Sequence, residues 1–407
     1  MHSPARSSDR PSTSLSTPFA TWRSLVVTSH RVARAATSAA LLSSFIVLAN
    51  CGDDSVLNSA PQPPKGIVVL DGFIQPGLTL VADTGSATSR IAFAPGTEFD
   101  ASEFSLLRDT VLAVSSRSAG DLLYVADVKS GTMRRLQLPA RSNPSRARLF
   151  NGTGGQSLVG VALRDSSSVA LVAFAGAGAP TITRLANAGT CPTDVFQYDN
   201  ATWVIDGNAN CKTTYAVLGD VRLIRIPNTG TARDTILLPG MRGSGASAIV
   251  AGDVAYVSAG GDANFASFPY ALIASGRVTK VDLKNKRVLA QRAMPSNSYG
   301  AGVKLGADGF LYVSLYEDLD SFRDRIVKLR ADDLTTVGGT GASAWVKLTG
   351  STGAEVYCGS AVADALGRLH CILNGAGSAT SLLVFDLAGR ETRRVSAGQG
   401  GVDMALR

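Results

Sequence analysis

The sequence predicts an all-β chain, a β-propeller of seven four-stranded blades, with six as the alternative count. Three observations point there. From about residue 67 to the end, short apolar stretches alternate with polar ones and almost no period of 3.6 is sustained. The 407 residues include 42 glycines and only 17% charged residues, a balance that suits short strands and tight turns. One hairpin plan also recurs roughly every 45 to 60 residues, the mark of a stacked supersecondary unit.

The repeat is clearest in the second half. GASAIVAGDVAYVSAG (245 to 260), GAGVKLGADGFLYVSL (300 to 315) and GSAVADALGRLHCIL (359 to 373) each read as a glycine, a short strand, a tight turn and a second strand. Tyr256, Tyr312 and His370 occupy the same mid-strand slot. Third strands follow at RVTKVDL (277 to 283), RIVKLR (325 to 330) and LLVFDL (382 to 387), and fourth strands at RVLAQRA (287 to 293) and ETRRVSA (391 to 397). Residues 110 to 127, 157 to 174 and 193 to 207 fit the same first hairpin, and LTLVAD (78 to 83) is the earliest piece. The first blade is the most weakly marked. GGVDMALR (400 to 407) arrives with no partner of its own, and lending it to the N-terminal blade closes the ring, as a sheet must hide its edges. These hairpins, of the LYVSL and LYVAD type, are similar to those of the YVTN, NHL and SMP-30-like propeller families; the resemblance covers the propeller and implies architecture.

The N-terminus reads as an address. Arg23, Arg31 and Arg34 precede AATSAALLSSFIVLA (35 to 49), an apolar run long enough for a signal sequence and short for a membrane span. Leu48-Ala49-Asn50-Cys51 resembles the bacterial lipobox, with Asn50 departing from the usual small residue; the resemblance implies acylation of Cys51. Residues 1–50 are thus expected to be a lipoprotein-type signal peptide, 51–66 a polar, proline-bearing tether and 67–407 the propeller. Export and lipid anchoring at the bacterial cell envelope follow, in the outer membrane or periplasm if the organism is Gram-negative. Residues 1 to 50 hold five Arg and one Asp, so +4 of the net +7 leaves with them and nucleic acid is not an expected partner.

Beyond Cys51 stand Cys191, Cys211, Cys358 and Cys371, an even number that in an exported chain reads as two disulfides. Nearest-neighbour pairing, Cys191 with Cys211 and Cys358 with Cys371, is the favoured of three connectivities.

Propeller topology then separates the loops. Turns between first and second strands are short, while loops between second and third strands, and those linking blades, are long: residues 206 to 220, 239 to 246, 260 to 276, 293 to 300, 316 to 324 and a stretch ending at Tyr357. These share one face, and long loops on a rigid scaffold are where function concentrates. Tyr215, Arg242, Phe265, Phe268, Tyr270, Tyr299, Tyr316, Asp318, Asp320 and Tyr357 are the candidate ligand-binding residues there. Tyrosine gives wide contact with a polar tip, suiting a protein, peptide or carbohydrate ligand. Each ring alone reads more simply as packing a loop onto its blade, and only the one-sided clustering favours binding.

Chemistry is sparse. Only His370 remains after the signal, and no GxSxG, HExxH or GxxxxGK motif occurs. No cofactor or catalytic residue is assigned. SMP-30-like lactonases hold a divalent cation with carboxylates, and the resemblance makes Ca2+ near Asp262, Glu317, Asp318 and Asp320, with Asn208 and Asn264, the remaining metal candidate. None has DxDxDG spacing, and Arg323 and Arg325 stand beside the acidic loop. The reading is a monomeric, membrane-anchored binding or interaction module. A carboxylate- and cation-dependent lactonase-like hydrolase is the alternative, and an envelope scaffold the third.

Overall fold

The computed structural model describes residues 65–72, 75–83, 88–93, 104–115, 121–152, 157–174, 179–227, 233–266, 268–374 and 379–407. The signal segment, Cys51 and the tether as far as residue 64 lie outside them.

The strands form seven consecutive antiparallel sheets, the blades of a propeller. Blade 1 pairs Gly66–Asp71, Gly77–Ala82 and Thr88–Ala92, with Gly401–Leu406 as its innermost strand. Blade 2 holds Phe104–Leu107, Thr110–Ser115, Leu122–Asp127 and Thr132–Gln137. Blade 3 holds Pro144–Asn151, Ser157–Leu163, Ser168–Ala173 and Thr181–Leu185. Blade 4 runs through Pro192–Tyr198, Ala201–Asp206, Arg222–Pro227 and Asp234–Leu237. Blade 5 comprises Ser247–Ala251, Val254–Ala259, Arg277–Asp282 and Arg287–Ala293. Blade 6 has Tyr299–Leu305, Phe310–Tyr316 and Asp324–Arg330, and blade 7 has Gly359–Ala363, Leu369–Asn374, Ala379–Phe385 and Glu391–Gln399.

The ring closes as the unpartnered C-terminal strand demanded. Gly401–Leu406 pairs antiparallel with Gly66–Asp71, Ile67 opposite Leu406 and Leu70 opposite Asp403. Lys65 N donates to Arg407 O, and Arg407 N to Gly66 O, each at 2.8 Å. First and last strands thus share one sheet, and the N-terminal strand is paired on both of its edges.

Burial explains why the inner strands look almost uniformly apolar. In a propeller both faces of a blade are covered, so successive residues on one strand pack against opposite neighbours. Val68 and Leu70 join blade 2 residues such as Phe104 and Leu122, whereas Ile67 and Val69 join blade 7 residues such as Ile372 and Leu382. Seven hydrophobic clusters of this kind fill the seven junctions between blades. Each large aliphatic side chain so buried contributes about 1.5–3 kcal/mol. The outermost strands lose that alternation: Thr132–Gln137 is largely exposed.

Two sequence expectations shift. Residues 110 to 127 and 157 to 174 form the second and third strands of their blades, not the first and second. The true first strands were hidden because Phe104–Leu107 is only four residues long and Pro144–Asn151 carries two arginines. The stretch before Tyr357 also does not lie wholly on the long-loop face. Bridges from Val327 to Trp345 and Leu329 to Thr336 make it the outer edge of blade 6, interrupted by a 3-10 turn at Gly341–Ala344.

Candidate functional site

On the long-loop face, a hairpin is inserted between the second and third strands of blade 5. Its strands, Asp262–Asn264 and Ala271–Ala274, pair only with each other in a two-stranded sheet. Gly261 permits the sharp entry: it sits at φ +94, where a Cβ would collide with the Ala274 carbonyl oxygen. Gly300 N donates to Gly260 O at 2.8 Å, tying the base of the hairpin to blade 6. Arg242 holds its flank, 3.6 Å from Asp262 and 3.8 Å from Asp220 of the adjoining blade 4 loop.

Aromatic rings of blades 5 and 6 meet around this hairpin. Phe265 lies 5.2 Å from Tyr270 and 5.5 Å from Tyr299; Phe268 lies 5.6 Å from Tyr270. Phe322, from the blade 6 loop, completes the chain at 6.1 Å from Tyr270 and 5.4 Å from Tyr316. Interplanar angles of 64° to 85° make every contact edge-to-face, the arrangement that ring quadrupoles favour. Burial, with Asp262 beside it, pushes the Tyr299 hydroxyl well above its ordinary range, so Tyr299 stays neutral. The cluster is open on one side: Phe268 is 75% exposed, Ile273 60% and Phe265 39%. Five of the candidate residues therefore come together, and Phe322, at positive φ in a loop read as acidic, joins them unforeseen.

The acidic loop beside this cluster is occupied by its own contacts. Glu317 pairs with Arg325 at 3.1 Å and with Arg323 at 3.4 Å. Asp318 caps the turn, accepting from Asp320 N at 2.9 Å, Ser321 N at 2.6 Å and Ser321 Oγ at 3.0 Å. Partial burial opposes its ionisation, but the Ser321 and Asp320 hydrogen bonds hold its carboxyl below the usual range. Asp320 is exposed. Arg323 and Arg325 also stack on Tyr357, 4.6 and 4.5 Å from its centroid, and Tyr357 donates to Glu355 at 2.8 Å. Among the described residues no group of three or more His, Cys, Asp or Glu side chains converges as a metal site would require. Asn208 is spent on Asp220 O, and Asn264 on Ala266 N.

Tyr215 stands apart. Its hydroxyl accepts from Asn143 at 3.0 Å, and its ring packs on Cys191 and Cys211, placing it with blades 3 and 4. Both disulfides pair as nearest neighbours, with Cα separations of 5.6 Å for Cys191–Cys211 and 6.0 Å for Cys358–Cys371. His370 is fully buried, its Nε2 2.9 Å from Asp364 Oδ2. Burial works against ionising Asp364, but hydrogen bonds from His370 and Arg368 hold it down at about 2. Tyr312, in the equivalent slot of blade 6, bonds Asp308 at 2.6 Å, so both residues lock the first tight turn of their blades.

A second polar assembly, at the propeller axis, escaped the sequence reading. Arg146 and Arg148 of blade 3 both reach Asp194 of blade 4, at 3.1 and 2.5 Å, and Arg148 continues to the Ala248 carbonyl of blade 5. Lys304 of blade 6 bonds Ser360 of blade 7 at 2.9 Å and pairs with Asp403 of blade 1 at 3.0 Å. All five charged side chains are buried. Desolvation, outweighing the help of Asp194, brings Arg146 down to about 10. Single charges inside apolar innermost strands, GVKL and GVDMAL, were the available signal. These residues bind the inner strands to one another.

A seven-bladed propeller with a one-sided aromatic surface cluster is the class that fold and site define. No family model and no curated protein matches the sequence. Solved structures do match in fold. A protein from Bacteroides fragilis, provisionally named a 6-phosphogluconolactonase, has a TM-score of 0.55 at 13% identity, covering 86% of this chain and 100% of its own. A protein from Lactobacillus plantarum has a TM-score of 0.53 at 14% identity, covering 85% and 100%. Another provisional 6-phosphogluconolactonase, from Bacteroides uniformis, has a TM-score of 0.50 at 12% identity, covering 85% and 100%. At these identities the likeness establishes the fold alone.

Proposed function

We propose that this chain is a binding module, held at the cell envelope by lipid on Cys51, that engages its ligand through the aromatic cluster of blades 5 and 6. One observation carries this reading: rings from two blades gather on the long-loop face around a hairpin whose Phe268 remains 75% exposed. An exposed large aromatic forfeits its burial free energy in the unbound chain, and contiguous apolar exposure marks interaction surfaces. Glu317, Asp318 and Asp262 are each engaged by arginines or backbone amides, which leaves binding, more than carboxylate chemistry, to the site. Hydrogen exchange of the full chain, with and without a detergent extract of the envelope, tests it. Protection confined to residues 260–276 and 317–323 is expected; protection on the short-turn face instead would sink the reading.

The provisional name of two fold neighbours supports a second reading, a lactonase-like hydrolase using carboxylates and a divalent cation. A lactone-hydrolysis assay of the full chain with added Ca2+ and with chelator separates the two. Chelator-sensitive turnover that survives Phe268→Ser would favour the hydrolase.

A further inference from the structure

The seam that closes the ring contains a buried carboxyl that lacks the partners of its counterpart in blade 4. Asp71 and Asp206 occupy the same place. Each ends the second strand of its blade, opposite the first residue of the innermost strand, Gly401 or Pro192, and the first residue of the third strand, Gly77 or Arg222. Each also lies under a glycine of the connection that enters the innermost strand. A Cβ on Gly398 would fall 2.5 Å from Asp71 Oδ1, and one on Gly189 2.5 Å from Asp206 Cγ. Both glycines have positive φ, +95 and +119, so each connection turns tightly over its carboxyl.

Their partners differ. Asp206 accepts from Thr190 N at 3.0 Å, Cys191 N at 2.7 Å, Asn208 N at 3.1 Å and Arg222 Nε at 2.9 Å. Asp71 is as fully buried, but a glycine stands where blade 4 has Arg222. Thr79 donates to Asp71 Oδ2 at 2.6 Å, while Oδ1 has no hydrogen-bond partner. The Gln399 amide favours the ionised form only weakly and makes no hydrogen bond to Oδ1. Among the described residues, the charged groups on the surrounding strands are Arg90 of the fourth strand, exposed and bonded to Gln75, and Asp403 of the innermost strand, 3.0 Å from Lys304.

We propose that Asp71 makes the ring closure a proton-operated latch: protonated, it stays seated beneath Gly398 and holds the start of Gly401–Leu406 against the N-terminal strand; ionised, it opens the seam to water. A carboxylate buried without a cation must be hydrated or paired, and displacing the Gly398–Gly400 connection that covers Oδ1 admits the water. In blade 4 an arginine and three amides supply in the closed state what water would supply in blade 1. The strand ladder is already interrupted at this point, its register shifting between Leu70 and Asp71. At the other end the strand is clamped by the Lys65 and Arg407 hydrogen bonds, so opening starts at Gly401 and the ring stays closed. Released to water, Asp71 regains an ordinary carboxyl, and opening is therefore favoured progressively as pH rises from about 4 to about 7 and constant above that.

Hydrogen exchange of the full chain, read by mass spectrometry across that pH range and corrected for the intrinsic pH dependence of amide exchange, tests the latch. Opening of residues 398–404 should rise with pH, by at most about tenfold per unit, and stop rising near pH 7. Residues 189–195, the matching segment of blade 4, report any opening common to the whole ring. Asp71→Asn, neutral at every pH, should hold residues 398–404 at their low-pH level. An infrared difference spectrum between wild type and Asp71→Asn should show a protonated carboxyl that is lost as pH passes about 7. The wild-type exchange profile decides the matter even if the variant folds poorly. The latch is overturned if residues 398–404 open no more steeply with pH than residues 189–195, or if a folded Asp71→Asn shows the wild-type profile.

Discussion

Lys304 Nζ lies 3.0 Å from Asp403 Oδ1, joining blade 6 to the C-terminal strand across blade 7, whose Ser360 bonds both. Nearly a hundred residues separate the pair in sequence, yet it fixes the strand that closes the ring. Both side chains are buried, so deleting either charge strands the other in a low dielectric. Asp403→Asn or Lys304→Met should cost about 3–5 kcal/mol, and Lys304→Met with Asp403→Leu considerably less. Denaturant unfolding of the three variants checks this, and equal losses in single and double variants would refute it.

Asp71 supplies a pH dependence. Burial raises its carboxyl to about 7, against an ordinary 3.8, despite the hydrogen bond from Thr79 at 2.6 Å. Between those values the folded state holds a proton that the unfolded state has lost. Stability should therefore fall as pH rises from about 4 to about 7 and then level off. Asp71→Asn, which keeps an acceptor for Thr79, should remove that slope and stabilise at pH 8, by at most ~4 kcal/mol. Thermal melts across pH 4 to 8 decide it, and parallel profiles for wild type and variant would contradict the assignment.

The aromatic cluster should divide by exposure. Phe268→Ser changes a side chain that is 75% exposed and should leave stability within about 0.5 kcal/mol of wild type. Tyr299→Ala removes a ring packed on Phe265 and should cost about 2 kcal/mol or more. A large loss at Phe268 would mean that it packs the hairpin and is not available to a ligand.

In the acidic loop, Asp318→Asn and Asp320→Asn should differ. Asp318 accepts two backbone hydrogen bonds that an amide meets less well, so its change should cost about 1 kcal/mol. Asp320 is exposed, and its change should be silent. Equal and large effects of both on Ca2+ uptake, read by calorimetry, would instead point to a metal site.

Reducing Cys191–Cys211, which spans 20 residues, by a paired change to alanine should cost about 3 kcal/mol. The loss should loosen the blade 4 loop that carries Leu218, seen as faster hydrogen exchange in residues 207 to 221.

Period-two alternation and the recurring hairpin were enough to place the strands of blades 5 and 7, three strands of blade 6 and the first hairpin of blade 4, because each depends on residues near one another in sequence, and the unpartnered GGVDMALR pointed to the closure. The long-loop face was legible too, since loop length and antiparallel order determine which connections share a side. Which rings would touch was not. Phe322 looked like part of an acidic connection, and Tyr215 like part of the cluster, until folding set Phe322 against Tyr270 and Tyr215 against Asn143. The axial charges are the clearest case. Arg148, Asp194, Lys304 and Asp403 each interrupt an apolar strand without local reason, and only convergence of the innermost strands on one axis gives each charge its partner. The sequence by itself determined the architecture and which loops share a face, because strand period and turn length are local properties. Tertiary structure decided the aromatic cluster, the core charges and the partners of Glu317, Asp318 and Asp364, because contacts between blades and loops depend on how the ring closes.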